Sequence, residues 1–215
     1  MIAPPATWCA FAFCGSTPPE KLLDINVISP EYQRRPYFAY PTSAGLRQFE
    51  DLASWYVYVT SLRIQPGHVL LPYIDAFDEA LRALFMTYLL PEFSKFGEMK
   101  ALVTLEVALL TRSEHKICTE TKAGKHRCAG LRELFSWSKE HKILPSEFFE
   151  SGSGRACCDE LTDIRNRQMH GYLLEETLPW GGLFESVKAA IEFAYKDSPP
   201  YDVHELRLAN SGGSV

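Results

Sequence analysis

Between Ile164 and Tyr172 the chain reads IRNRQMHGY, and side chains able to move protons or hold phosphate crowd together there: Arg165, Asn166, Arg167, Gln168 and His170. Imidazole exchanges protons near neutral pH. A guanidinium stays charged, and its planar fork matches two phosphate oxygens. An amide can orient an imidazole or hold an oxyanion. Together these groups suit cleavage of RNA by its own 2′-OH, which needs a proton acceptor, a proton donor to the leaving oxygen and positive charge on the phosphate. That scheme requires no metal. Read from residue types alone, the stronger reading is an ordinary helix ending, with His170 as a cation near the C-terminus and Gly171 at C′.

Spacing sharpens the alternatives. On a helix running from about Arg155 to His170, Leu161, Ile164, Arg165 and Gln168 fall at i, i+3, i+4 and i+7, so one stripe begins apolar and finishes polar. Such a stripe leads out of a core into a cleft or an interface. Asn166 and His170 share a face, whereas Arg165 and His170 sit roughly 140° apart around a 3.6-residue helix. One regular helix does not bring those two to a single atom. Either the helix breaks near Gly171, or two copies of the segment meet across a dimer two-fold.

The elements that must position this segment are read from apolar periodicity. Tyr73, Ile74, Phe77, Leu81, Leu84, Phe85 and Tyr88 recur at three and four residues, which predicts an amphipathic helix over Leu70 to Leu90. Pro91 separates it from a second helix, Phe93 to Arg112, whose Ala101 to Leu110 stretch is apolar all round except for Thr104 and Glu106, and which is therefore expected at the centre of a bundle. A carboxylate in such a run needs a partner. Arg165, whose guanidinium it would fix, Arg112 and Arg132 are the candidates. Further helices are expected over Arg127 to His141 and Trp180 to Tyr195, the last ended by Pro199-Pro200. Leu46 to Leu62 has mixed character and is read as helix. Residues 1 to 43 hold seven of the 14 prolines, which breaks regular structure there and predicts an arm strapped over the domain. The expected organisation is an N-terminal extension at 1–69, a helical domain at 70–200 and a flexible tail at 201–215.

With its neighbouring helices, the segment resembles the R-x4-6-H signature of the HEPN superfamily, in the form with a polar residue after the arginine: Arg165, Asn166 and His170 in RNRQMH. An upstream helix with LEVALL, an intermediate helix LRELFSWSKEHKILP, the RN…HG helix and a closing helix follow the family's order over about residues 70 to 196. Residues 1–69 match no segment of it. The resemblance implies an all-α, HEPN-like bundle of four to five helices with an irregular N-terminal extension. It also implies a metal-independent endoribonuclease of the toxin or antiviral-defence kind, without cofactors, acting as a homodimer whose two motifs line one cleft. Other members keep the fold as a noncatalytic module that binds a nucleotide or a partner protein. By resemblance Arg165 binds the scissile phosphate, His170 is the acid and base, Asn166 supports them and Glu106 holds the arginine. Tyr172 completes R-x4-H-x-Y, the form in toxins paired with a minimal nucleotidyltransferase antitoxin, where the tyrosine can carry AMP. Lys122, Lys125, Arg127 and Arg167 are the expected contacts to the RNA backbone.

Bulk properties limit the other classes. A formal charge of −5, from 22 Lys and Arg against 27 Asp and Glu, argues against nonspecific coating of nucleic acid. The opening Met1 to Ser16 lacks a basic start and is broken by Pro4 and Pro5, and no apolar run is long enough to span a bilayer, which predicts a cytoplasmic chain with no membrane partner. The six cysteines do not form a secreted-type framework, and adjacent Cys157 and Cys158 are not expected to bridge each other. His115, Cys118, His126 and Cys128 are donors that zinc accepts, but the short second spacing departs from structural zinc patterns. The stretch from Ser113 to His126 is read instead as a basic surface loop carrying Lys116, Lys122 and Lys125.

Overall fold

The computed structural model describes residues 38–65, 67–114, 117–120, 126–150, 156–169 and 178–199; of 118–120 and 126–128 it describes the backbone alone. The chain first forms an antiparallel hairpin, β1 (Phe38–Thr42) and β2 (Gly45–Phe49), with Thr42 paired to Gly45 and Phe38 to Phe49. Helix α1 (Leu52–Ser61) follows, then α2 (Leu71–Met86) and α3 (Phe93–Arg112). A second antiparallel pair, β3 (Cys118–Glu120) and β4 (His126–Cys128), precedes α4 (Leu131–Glu140), a 3-10 turn (Ser146–Phe149), α5 (Cys158–Met169) and α6 (Leu183–Tyr195).

The fold is therefore mostly helical, as expected, and five of the described helices lie within 70–200. It departs from the all-α expectation in its two hairpins. The single helix expected over Leu46 to Leu62 is instead β2 followed by α1. Asp51 sets that boundary: its carboxylate accepts the Ser54 N–H at 2.7 Å, the Ser54 hydroxyl lies 3.3 Å from the Asp51 N–H, and this capping box starts the helix only there. Upstream, Gly45 at φ +106° closes the turn in a conformation that suits glycine. The Thr42 hydroxyl holds the turn through the Ala44 N–H at 3.2 Å. The basic loop expected over Ser113 to His126 likewise contains strand β3 and leads into β4, which place Cys118 opposite Cys128 and Glu120 opposite His126.

One core joins these parts. Tyr40, Phe49, Trp55 and Val59 are buried with the bundle residues Phe77, Leu84, Leu105, Leu161 and Ile191. The Phe49 and Trp55 rings meet edge to face at 4.9 Å, and the Trp55 indole N–H donates to the Phe85 carbonyl of α2 at 3.0 Å. Two carboxylates fasten the same region. Asp78 of α2 pairs with Arg63 at 2.6 Å, and Glu185 of α6 accepts from the Tyr58 hydroxyl at 2.9 Å and the Ser43 N–H at 3.1 Å. Core packing thus runs without a gap across position 69. Residues 1–37 and 200–215 lie outside the described residues.

Helix α3 is the centre of the bundle and packs against α2, α4, α5 and α6. Gly97 lets α2 come close: a Cβ there would stand 3.0 Å from the Ala80 carbonyl oxygen and 3.1 Å from the Leu84 nitrogen. The helix is not enclosed, however. Val103 and Val107, in the run expected to be apolar all round because it is buried, are 40% and 45% exposed, and Phe96 is 56% exposed.

Candidate functional site

Helix α5 carries the motif. Its entry is fixed by Glu160, which reaches back to the Cys157 N–H at 2.7 Å, and acidic residues at its start with Arg167 near its end suit the helix dipole. Leu161 and Ile164 are buried and seat the helix in the core, while Arg165 and Asn166 are half-buried at its margin. The stripe that begins apolar does finish polar.

Arg165 is held by Glu106 across the α3–α5 contact. Its Nε donates to Glu106 Oε2 at 2.8 Å and its Nη2 to Oε1 at 3.0 Å, so the carboxylate takes one edge of the guanidinium in a two-bond fork. Of the three candidate partners for Glu106, the other two are engaged elsewhere: Arg112 donates to the Ala194 carbonyl at 2.8 Å, and Arg132 lies 3.6 Å from Asp163. The arginine side chain is 26% exposed and the glutamate 19%. The bonds from Nε and Nη2 to Glu106 are the side-chain hydrogen bonds of Arg165 among the described residues.

Sequence reasoning missed a second carboxylate on α3. Glu98 is fully buried at 0% exposure. Its Oε2 accepts from Lys95 Nζ at 3.1 Å and from Gln168 Nε2 at 3.1 Å, and its Oε1 accepts the Trp180 N–H at 2.7 Å. The two glutamates therefore tie α3 to consecutive turns of the motif helix, at Arg165 and at Gln168. Tyr40 lies close by: burial, then the charge of Glu98, holds its phenol well above the ordinary range.

The other expected site residues divide by position. Asn166 is half-buried beside Arg165 on α5. Arg167 is exposed. Arg127 lies on β4, away from the motif in sequence, with its backbone alone described. His170, Gly171, Tyr172, Lys116, Lys122, Lys125 and His115 lie outside the described residues. Among the described residues no group of three or more His, Cys, Asp and Glu side chains is placed to share a metal, and no helix is long and apolar enough to cross a membrane. Cys157 and Cys158 are buried and unbridged.

Comparison with known protein families, with curated proteins and with solved structures finds no match to this chain.

Proposed function

We propose that this chain is a homodimeric HEPN-type endoribonuclease of a toxin or antiviral-defence system, cleaving RNA through attack of a 2′-OH on the adjacent phosphate. The observation that carries the reading is the Arg165–Glu106 fork. An arginine serving only surface solubility needs no two-bond carboxylate; one that must present a fixed edge to a phosphate does. Glu106 holds Nε and Nη2, and Nη1 faces the substrate.

In the proposed reaction His170 takes the 2′-OH proton, the 2′-oxygen bonds to phosphorus, and the bond from phosphorus to the 5′-oxygen breaks. The 5′-oxygen is protonated as it leaves, and the upstream fragment ends in a 2′,3′-cyclic phosphate. Arg165 balances the charge on the phosphoryl oxygens and Asn166 steadies the imidazole or a phosphate oxygen. Tyr172 is the proposed point of control by a nucleotidyltransferase antitoxin.

A second copy is supported by α3. Phe96, Lys100, Val103, Val107 and Leu110 recur at four, three, four and three residues, the spacing of a helix–helix seam, and Phe96, Val103 and Val107 are exposed. Glu106 flanks that seam, with Val103 three residues before it and Leu110 four after. Two copies joined there set their Arg165–Glu106 pairs on either side of one interface, which answers the 140° separation within a single helix.

The test is cleavage of a fluorescent RNA by purified protein and by its Arg165→Ala and His170→Ala variants. The expected result is a cyclic-phosphate product from the parent and a loss of at least about 10²-fold in each variant. Full activity in the His170 variant overturns the assignment. A parent protein that binds RNA and leaves it intact returns the chain to the noncatalytic members of the family it resembles.

A further inference from the structure

Where α4 ends, one short stretch of chain from Lys139 to Glu150 lines a cavity of about 360 Å³. That volume lies at the lower end of the roughly 300–1,000 Å³ that small-molecule sites occupy. Leu144, Pro145 and the Phe149 ring supply its apolar surface, and Lys139, Lys142, Ser146 and Glu150 its polar groups. Lys139 Nζ stands 5.3 Å from the centre of the Phe149 ring, a contact that keeps the ammonium against the aromatic wall. The stretch is anchored to the bundle, because Leu144 and Phe148 are buried and Phe148 meets Phe193 of α6 edge to face at 5.8 Å. Lys142 is exposed, and packing does not explain it. The Ile143 N–H donates to the Ser138 carbonyl at 2.8 Å and the Lys142 N–H to the Lys139 carbonyl at 3.2 Å, the two bonds of a Schellman ending with His141 as C-cap and Lys142 at C′. That position takes a left-handed backbone, φ +55° here, which glycine adopts without strain. Lysine thus costs stability at a helix end that glycine would close better, and such strain is held where a side chain has other work.

We propose that this cavity binds a nucleoside monophosphate unit, either a free mononucleotide or the 5′-terminal nucleotide of an RNA strand. Lys139 and Lys142 hold the phosphate as point charges, and the Ser146 hydroxyl donates to one of its oxygens. Phe149, with Leu144 and Pro145, takes the face of the base, since every base has a π-face that packs on aromatic and apolar surface. Glu150 selects against a bare anion. Two lysines against one glutamate leave a single positive charge on the lining, and the carboxylate repels a phosphate that brings nothing else. It accepts from the hydroxyls of a ribose, which a nucleotide carries at the right end of the molecule. The same two lysines disfavour a divalent cation, and the volume fits one nucleotide better than a folded peptide. Neither Arg165 nor Glu106 lines the cavity, so the proposal stands apart from the ribonuclease reading.

Calorimetric titration of the full-length protein with AMP, adenosine, inorganic phosphate and a 5′-phosphorylated RNA trinucleotide tests this. AMP or the trinucleotide is expected to bind at least about tenfold tighter than adenosine or phosphate alone, and the tighter of the two names the source. Lys142→Gly supplies the sharper measurement. It is expected to weaken nucleotide binding at least about tenfold while its melting temperature holds or rises, because glycine relieves the left-handed strain as the ammonium is lost. A lysine serving the fold alone would show no loss of affinity. If Lys142→Gly does not fold, Lys142→Gln, which keeps most of the stem and removes the charge, carries the affinity measurement. Parent-like affinity in the folded Lys142 variant overturns the proposal. So does phosphate that binds as tightly as AMP, or the absence of binding by both AMP and the trinucleotide at millimolar concentration.

Discussion

At the scale of single residues, chemistry and burial leave different traces in a sequence. Arg165, Asn166 and His170 stand out in the sequence by type and spacing; the structure describes the first two, at the margin of α5, and His170 lies outside the described residues. Glu106 was legible because it interrupts an apolar run, and the structure pairs it with Arg165 at 2.8 Å. Glu98 was not. In FSKFGEMK the charges at Lys95, Glu98 and Lys100 look like a solvated face, and only partners far along the chain, Gln168 and Trp180, make that face interior. Cys158 carries the prediction at this scale. Burial, with Cys157 and Asp159 adding to it, pushes its thiol from the ordinary 9.0 up to about 12. A raised pKa means that folding favours the protonated thiol, so this contribution is complete below about pH 9 and is lost as the pH rises toward about 12. Over that window the group takes away up to about 1.4 kcal/mol of stability per pH unit. Urea unfolding at a series of pH values from 8 to about 11 should therefore show a shallower alkaline decline in Cys158→Ala than in the parent. Equal slopes would mean that the thiol ionises alike in both states.

At the scale of elements, long helices announced themselves and short strands did not. The expected limits of α3 coincide with Phe93–Arg112 because Pro91 stands just before it and the apolar run Ala101 to Leu110 gives way to the polar stretch from Ser113. Hairpin β1–β2 escaped for the opposite reason. Pro41 made its first strand read as irregular, although Pro is tolerated where a strand has an open edge, and among the described residues β1 pairs with β2 alone. Its one local signal was Gly45 closing a two-residue turn. How closely helices approach is likewise invisible until they are packed, and Gly97 shows the consequence. A methyl group at this position meets backbone atoms of α2 at 3.0 and 3.1 Å and the Phe184 ring at 3.1 Å. Backbone in a helix cannot swing aside as a side chain does, so Gly97→Ala should cost about 1–3 kcal/mol despite alanine's better helix propensity. A thermal melt that rises or stays level in this variant would show that α2 and α3 can separate without loss.

At the scale of the whole molecule, the hairpin, α1 and the five later helices share one core, yet their central helix keeps an apolar face in water. Phe96, Val103 and Val107 stand on that face, and a twenty-residue helix offers a seam of roughly 30 Å. A folded monomer gains nothing from exposing them. If a second copy covers this seam, the dimer and not the protomer is the active unit, and a charge placed on the seam must disable both protomers without touching either motif. Val103→Glu and Val107→Glu are expected to sediment as monomers at micromolar concentration and to lose cleavage in step with dissociation. Exposed positions seldom change folding stability by more than about 0.5 kcal/mol, so unfolding of each monomer should stay close to the parent's. Raising the variant concentration should restore part of the activity by mass action, a recovery that a damaged catalytic group cannot show. A parent protein that sediments as a monomer and still cleaves RNA would remove the seam from the mechanism, and Arg165 and His170 would then have to converge within one chain.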